Sequence, residues 1–265
     1  VVFHVAAKAG LWGPYADYHR ANVLGTEHVL AACRRHGIRK LVHTSSPSVV
    51  FNGRDMEGVD ESVPYPAHFE AHYPQTKALA EQRVLQANSP TLASVALRPH
   101  LIWGPGDNHL LPRLMARAKS GQLRRIGAQH KRVDTVFIEN AADAHLLAAD
   151  ALAPGAACAG KAYFISNGEP IHLWDMVNRM LAAASLPPVT RTVPVSVALA
   201  LAWAFETFAR VTGSGEPRLT RFMASEMSTA HWFDISAAKR DFGYVPKVTT
   251  EEGLRRLAEH LKQGA

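Results

Sequence analysis

Three short apolar runs, VFHVAA (2–7), KLVHTSS (40–46) and SVALRP (94–99), close on small, hydroxyl or proline residues and are separated by amphipathic stretches. This alternation constrains the chain more than any other feature. Runs so short and evenly apolar suit strands buried on both faces, and a parallel neighbour can be reached only through a crossover long enough to hold a helix. The pattern predicts an α/β fold, a parallel sheet with helices on both faces.

The helical stretches keep the 3.6-residue period. One runs from Tyr15 to Arg35, with Val23, Leu24, His28, Leu30 and Ala31 on its apolar side and Gly37 ending it. A loop of Pro, Gly and acidic residues, Asn52 to Pro66, leads to a helix from Tyr73 to about Ala87, whose Pro74 suits a first turn. A third helix spans about Leu110 to Ser120. Beyond Gly121 come a strand near Val133–Ile138, a helix from Asn140 to Leu152, a strand KAYFIS, a helix from His172 to Ala184 and a last helix around Thr250–Lys262. Residues 1–120 thus read as one unit, and residues 121–265 as a smaller lobe with some elements returning to the first.

Composition places the chain among soluble globular proteins: 47% of its 265 residues are hydrophobic and 20% charged. Two cysteines, Cys33 and Cys158, are too few for a disulfide framework, which points to a reducing, cytoplasmic setting. The net charge of +6 gathers in RRHGIRK (34–40) and RRIGAQHKR (124–132). No nucleic-acid-binding signature accompanies these clusters, so they read as a solvated basic face near an anionic substrate or membrane surface. The first residues, VVFHVAAKAG, lack an initiator methionine and a signal-peptide pattern and read as a strand already in progress.

VPVSVALALAWAFETFARV (193–211) is the most apolar segment. Pro194, Ser196, Glu206 and Arg210 interrupt or close it, so it reads as a buried helix or the lining of an apolar pocket before it reads as a bilayer span. A peripheral membrane contact stays open. Trp174, Trp203 and Phe205 read as core aromatics, and His43 as a satisfied core histidine.

The chemistry starts at AHYPQTKALAE (71–81). Residues four apart share a helix face, so Tyr73 and Lys77 can address one ligand together. A free phenol has a pKa of about 10, and a nearby ammonium lowers it toward the range useful for proton transfer. Ser46, at the carboxyl end of the strand KLVHTSS, lies where open parallel sheets place ligands and can donate to a substrate oxygen. HFEAH (68–72) does not match the helical zinc-site spacing and is flanked by prolines, so no metal is assigned.

With these residues in view the chain resembles the extended short-chain dehydrogenase/reductases, in their 3β-hydroxysteroid dehydrogenase-like branch. The resemblance rests on FHVAA (3–7), NVLGT (22–26), HTSS (43–46), YPQTK (73–77), LRPHLIWGPGD (97–107) and VFIENAADAHLLA (136–148). It implies a Rossmann-like doubly wound sheet and NAD or NADP as cofactor. It also implies Tyr73 as proton donor or acceptor, Lys77 as the residue that binds the nicotinamide ribose and lowers the Tyr73 pKa, and Ser46 as the group orienting the substrate oxygen. Asn22 would help build the site and its proton relay. Ala6, Ala7, Pro99, His100 and Leu101 would run beside the cofactor.

The family's opening glycine-rich turn, which holds the pyrophosphate, has no counterpart here, so the chain reads as N-terminally truncated, with weakened dinucleotide binding expected. The function implied is hydride transfer between nicotinamide and a hydroxyl or keto group of a hydrophobic substrate, a long-chain 2-alkyl-3-oxo acid or a 3β-hydroxysteroid-like alcohol. An arginine or lysine near the pocket would hold a carboxylate. Two other readings stay open: a nucleotide-sugar epimerase or dehydratase on the same scaffold, and a non-catalytic dinucleotide-sensing scaffold. A homodimer through the helices at 15–36 and 73–87 is a further implication of the resemblance.

Overall fold

A computed structural model describes residues 1–127 and 130–263; Ala128 and Gln129, inside the second basic cluster, lie outside it. The chain opens with β1 (Val2–His4), passes through α1 (Tyr15–Tyr18) and α2 (Gly25–Arg35), and returns as β2 (Lys40–Thr44). Between α1 and α2, residues His19–Leu24 form a π-helical segment, so the stretch foreseen as one regular helix carries a bulge. The bulge turns α2 about its axis. The buried residues are Asn22, Val23, Thr26, Leu30 and Cys33, while Leu24, His28 and Ala31 face out, contrary to the apolar face read from the sequence.

Next come β3 (Met56–Val59), inside the stretch foreseen as loop, then α3 (His72–Gln86) and β4 (Ala93–Pro99), buried throughout. The strands β1, β2 and β4 pair in parallel with Val2 opposite Leu41 and Val42 opposite Val95. After β5 (Ile102–Trp103), α4 (Leu110–Lys119) and β6 (Arg125–Ile126), the strand expected near Val133–Ile138 splits into β7 (Arg132–Val133) and β8 (Val136–Phe137). Asp134 and Thr135 between them turn inward and are buried. Two polar side chains that need interior partners break a run that periodicity alone would continue.

The remaining elements are α5 (Ile138–Ala151), β9 (Ala162–Ile165), β10 (Ile171–His172), α6 (Leu173–Ala183), β11 (Thr192–Val193), α7 (Val195–Thr212), α8 (Arg221–Glu226), β12 (His231–Phe233), α9 (Ser236–Phe242) and α10 (Thr250–Gln263). Strand β9 joins the first sheet beside β4, giving the parallel order β1-β2-β4-β9. A second sheet runs β10-β7-β12-β3, and the pairs β5–β8 and β6–β11 complete the pairing.

The largest apolar core surrounds the first sheet, from Val42, Val95, Leu97 and Ile165 out to Phe233 and Tyr244. A second core, with Leu123, Trp174, Leu181, Ala198, Ala202 and Ala224, lies under α7. Two expectations about burial fail. Among the described residues strand β1 has one hydrogen-bonded neighbour, and Phe3 and Val5 are 39% and 60% exposed. Helix α7 buries only Ala198, Ala202, Glu206 and Ala209, leaving Trp203 59% and Phe208 62% exposed.

Candidate active site

The carboxyl ends of β2 and β4 and the first turn of α3 converge on a cavity of about 180 Å³. Ser46, Tyr73, Pro99, His100 and Leu101 line it, with Leu11, Phe51, Met56, Phe222 and Phe233 as an apolar wall and Glu226 and His231 as further polar members. Five of the nine residues singled out from the sequence therefore share one wall. Leu101 sits at φ 44°, the left-handed region that a branched residue rarely enters. The strain falls where β4 turns away from the sheet into the cavity.

Ser46 extends from β2 in a β conformation, and its hydroxyl caps the single turn Pro47–Val50 by accepting from the Ser48 amide. Its Oγ lies 2.9 Å from the Ser48 Oγ. The Tyr73 phenol lines the same cavity as the Ser46 hydroxyl. Burial raises its pKa above 10.0, the Ser46 hydrogen bond pulls the other way, and the Glu226 carboxylate would add to the rise. No lowering by Lys77 accompanies these effects. Lys77 is 2% exposed, and its Nζ donates to the Thr44 carbonyl of β2 at 2.6 Å. Burial brings its pKa down to about 8, with Glu81 holding it up.

Asn22 and the two alanines lie outside that wall. Asn22, in the π-helical segment, accepts from the Lys8 amide at 2.7 Å and donates to the Lys8 carbonyl and to Thr76 Oγ1 at 3.1 and 3.0 Å. It thereby clamps the exit of β1 to the turn of α3 that carries Tyr73. The π-bulge is what aims this side chain at both partners. Ala6 and Ala7 are exposed at the carboxyl end of β1.

Helix α3 is fixed to the sheet beneath it. Arg98 of β4 forks onto Glu81 through Nε and Nη2 at 2.9 and 2.7 Å, and Tyr65 donates to the same carboxylate at 2.6 Å. The pair is almost wholly buried. Its bidentate geometry sets the position of α3 along β4.

A polar chain that sequence reasoning missed runs behind the cavity. His100 Nδ1 lies 2.6 Å from Asp134 Oδ1, His100 Nε2 lies 3.1 Å from His231 Nδ1, and His231 Nε2 lies 2.9 Å from the Glu226 carbonyl. A carbonyl only accepts, so His231 Nε2 carries a proton, and a neutral His231 then accepts at Nδ1 from His100 Nε2. Burial, and then His100, lower the His231 pKa to about 4, in keeping with its neutral state.

His100 and His231 stand 131 positions apart, and no local spacing signals the pairing. His43 also departs from expectation: it is buried, but among the described residues neither ring nitrogen has a partner, and burial holds its pKa far below 6.5.

The residues present suit the nicotinamide half of a dinucleotide. Ala6 and Ala7 leave the end of β1 uncovered, and Pro99, His100 and Leu101 line the cavity that Ser46 and Tyr73 share. Parallel strands ending at such a crevice, with a phenol and a hydroxyl in its wall, fit a nicotinamide-dependent oxidoreductase with a Rossmann-like fold. Residues 1–192 match the 3-beta hydroxysteroid dehydrogenase/isomerase family, and the chain belongs to it.

Among its relatives, a 2-alkyl-3-oxoalkanoate reductase of Stenotrophomonas maltophilia is 55% identical over 97% of this chain and 78% of its own length. A decarboxylating sterol-4-alpha-carboxylate 3-dehydrogenase of Mus musculus is 35% identical over 99% of the chain and 75% of its own. In structure, the NAD complex of UDP-glucuronic acid 4-epimerase from Bacillus cereus superposes with a TM-score of 0.71 at 20% identity, covering 98% of this chain and 74% of that one. At that identity the likeness speaks for the fold alone.

Proposed function

We propose that the protein reduces the 3-oxo group of a long-chain 2-alkyl-3-oxo acid, with Tyr73 as proton donor. The observation that carries this reading is that Ser46 and Tyr73 share the wall of one largely apolar cavity. The 55% identical reductase supports the substrate class.

Bound nicotinamide supplies the hydride. Ser46 donates to the substrate carbonyl oxygen and polarises it, and Tyr73 delivers a proton as that oxygen gains charge. A phenol raised by burial stays protonated at neutral pH, which suits an acid in the direction of reduction. Lys77 binds the ribose hydroxyls once its ammonium turns from the Thr44 carbonyl, and Asn22 holds the turn of α3 in register. Ala6, Ala7, Pro99, His100 and Leu101 flank the cofactor.

In this reading residues 1–120 hold the dinucleotide and most of residues 121–265 shape the substrate pocket. The exposed side of α7 rests on an anionic membrane surface, from which an apolar substrate is drawn. A second copy packs through the helices at 15–35 and α3.

The test is Tyr73→Phe, assayed with a long-chain 3-oxo acid by nicotinamide absorbance. A fall in kcat of about 10²–10⁴ is expected for loss of a positioned acid. Turnover at the parent rate would remove Tyr73 from the mechanism.

A further inference from the structure

Helix α8 ends at Glu226, whose peptide oxygen accepts from His231 Nε2 at 2.9 Å. That bond fixes the backbone of a residue that lines the same cavity as Tyr73. Its carboxyl enters no ion pair and no hydrogen bond among the described residues. The other polar groups of the wall are used: Ser46 and Ser48 pair with each other, Tyr73 and Ser46 serve the substrate carbonyl in the proposed reaction, and both nitrogens of His100 and of His231 are occupied. Among the described residues no arginine or lysine lines the cavity. A 3-oxo acid whose carbonyl sits at Ser46 and Tyr73 carries its carboxylate two carbons away, and Glu226 is the one side chain in that wall left to meet it.

We propose that Glu226 recognises the substrate carboxylate, donating to it the proton of a neutral carboxyl group. The inference rests on the reading of the substrate as a 3-oxo acid. Geometry keeps the group neutral. It stands half-buried among Phe222, Phe51 and Met56, and the charged or titratable groups around it give it no cationic partner. Those groups are Glu70 from the loop before α3, Tyr73 from α3, His100 at the end of β4 and His231 from β12. Burial first, then the Glu70 carboxylate, raise its pKa to about 8. A carboxyl that is protonated at neutral pH bonds a carboxylate, and an ionised one repels it.

The experiment uses 3-hydroxymyristic acid and its methyl ester as alternative substrates in the oxidation direction, with wild type, Glu226→Leu and Glu226→Gln. At pH 7, Glu226→Leu should raise KM for the acid by about tenfold or more, because a charge-assisted hydrogen bond is lost, with kcat little changed. The ester should shift by about threefold or less, since it brings no charge to the contact. Glu226→Gln keeps a donor and should keep KM at pH 7.

Above pH about 8 the wild-type KM for the acid should climb about tenfold per pH unit, and that of Glu226→Gln should stay flat. Lys77 titrates in the same range in both proteins, so the difference between the two profiles isolates Glu226. Equal losses with acid and ester in Glu226→Leu, or the same rise of KM in Glu226→Gln, would overturn the assignment. Should Glu226→Leu fail to fold, the Gln profile decides. Failure of the wild type to oxidise both compounds would strike instead at the substrate class.

Discussion

At the scale of single residues, Lys77 is in tension with its surroundings. An ammonium 2% exposed on one carbonyl is poorly solvated, and its pKa falls from 10.5 to about 8. Between those values the unfolded chain binds the proton more tightly than the folded one, so stability rises with pH from about 8 to 10.5, and the full penalty is present below 8. Lys77→Met should therefore make the protein more stable at pH 7. The relief is on the order of 3 kcal/mol, and about 1 kcal/mol of it is offset by the donor lost at the Thr44 carbonyl. Activity should disappear in the same variant. Urea unfolding at pH 7 and pH 10 measures both parts, and a variant that is less stable yet keeps the parent's pH slope would show that desolvation is not the cause.

At the scale of elements, the helix that presents Tyr73 depends on one buried fork. Removing one partner of such a pair leaves a stranded charge, which costs about 3–5 kcal/mol. Glu81→Gln should fall in that range by urea denaturation and should lower kcat as α3 loses its seat on β4. Adding Arg98→Met should recover part of the stability, and a double variant no better than the single one would mean that the fork does not couple the two elements.

The α/β alternation, α3 and the shared cavity lining of Ser46 and Tyr73 were legible because each comes from local periodicity and the strand-end rule. The π-segment at His19–Leu24 was not, since one inserted residue leaves composition and period almost unchanged while turning Leu24, His28 and Ala31 outward. The split between β7 and β8 was hidden likewise: it depends on Asp134 reaching His100 and the Phe233 amide, 99 residues on. Long-range polar pairing of this kind carries no spacing that a single sequence can display.

At the scale of the whole molecule, the apolar surface and the positive charge lie together. Val197, Leu201, Phe208 and Val211 recur along α7 at helical spacing and are exposed, by 46%, 45%, 62% and 81%. Beside them opens a groove of about 410 Å³ between Leu201, Phe205 and Leu219, rimmed by Arg117, Arg124 and Arg218. Among the described residues none of these arginines pairs with a carboxylate; Arg117 and Arg124 lean on backbone carbonyls instead.

An apolar helix face flanked by unneutralised guanidinium groups matches the chemistry of an anionic bilayer, where burial of the face and attraction of the rim add. The protein should therefore float with vesicles containing a third phosphatidylglycerol, bind less at high salt, and bind weakly to purely zwitterionic vesicles. The double variant Leu201→Glu, Phe208→Glu should stay in solution while its turnover of a short, water-soluble 3-oxo substrate is unchanged. Vesicle binding that survives both the double variant and high salt would place the contact elsewhere. Concentration-dependent self-association abolished by the same variant, with no flotation in the parent, would make α7 a face between two copies of the chain.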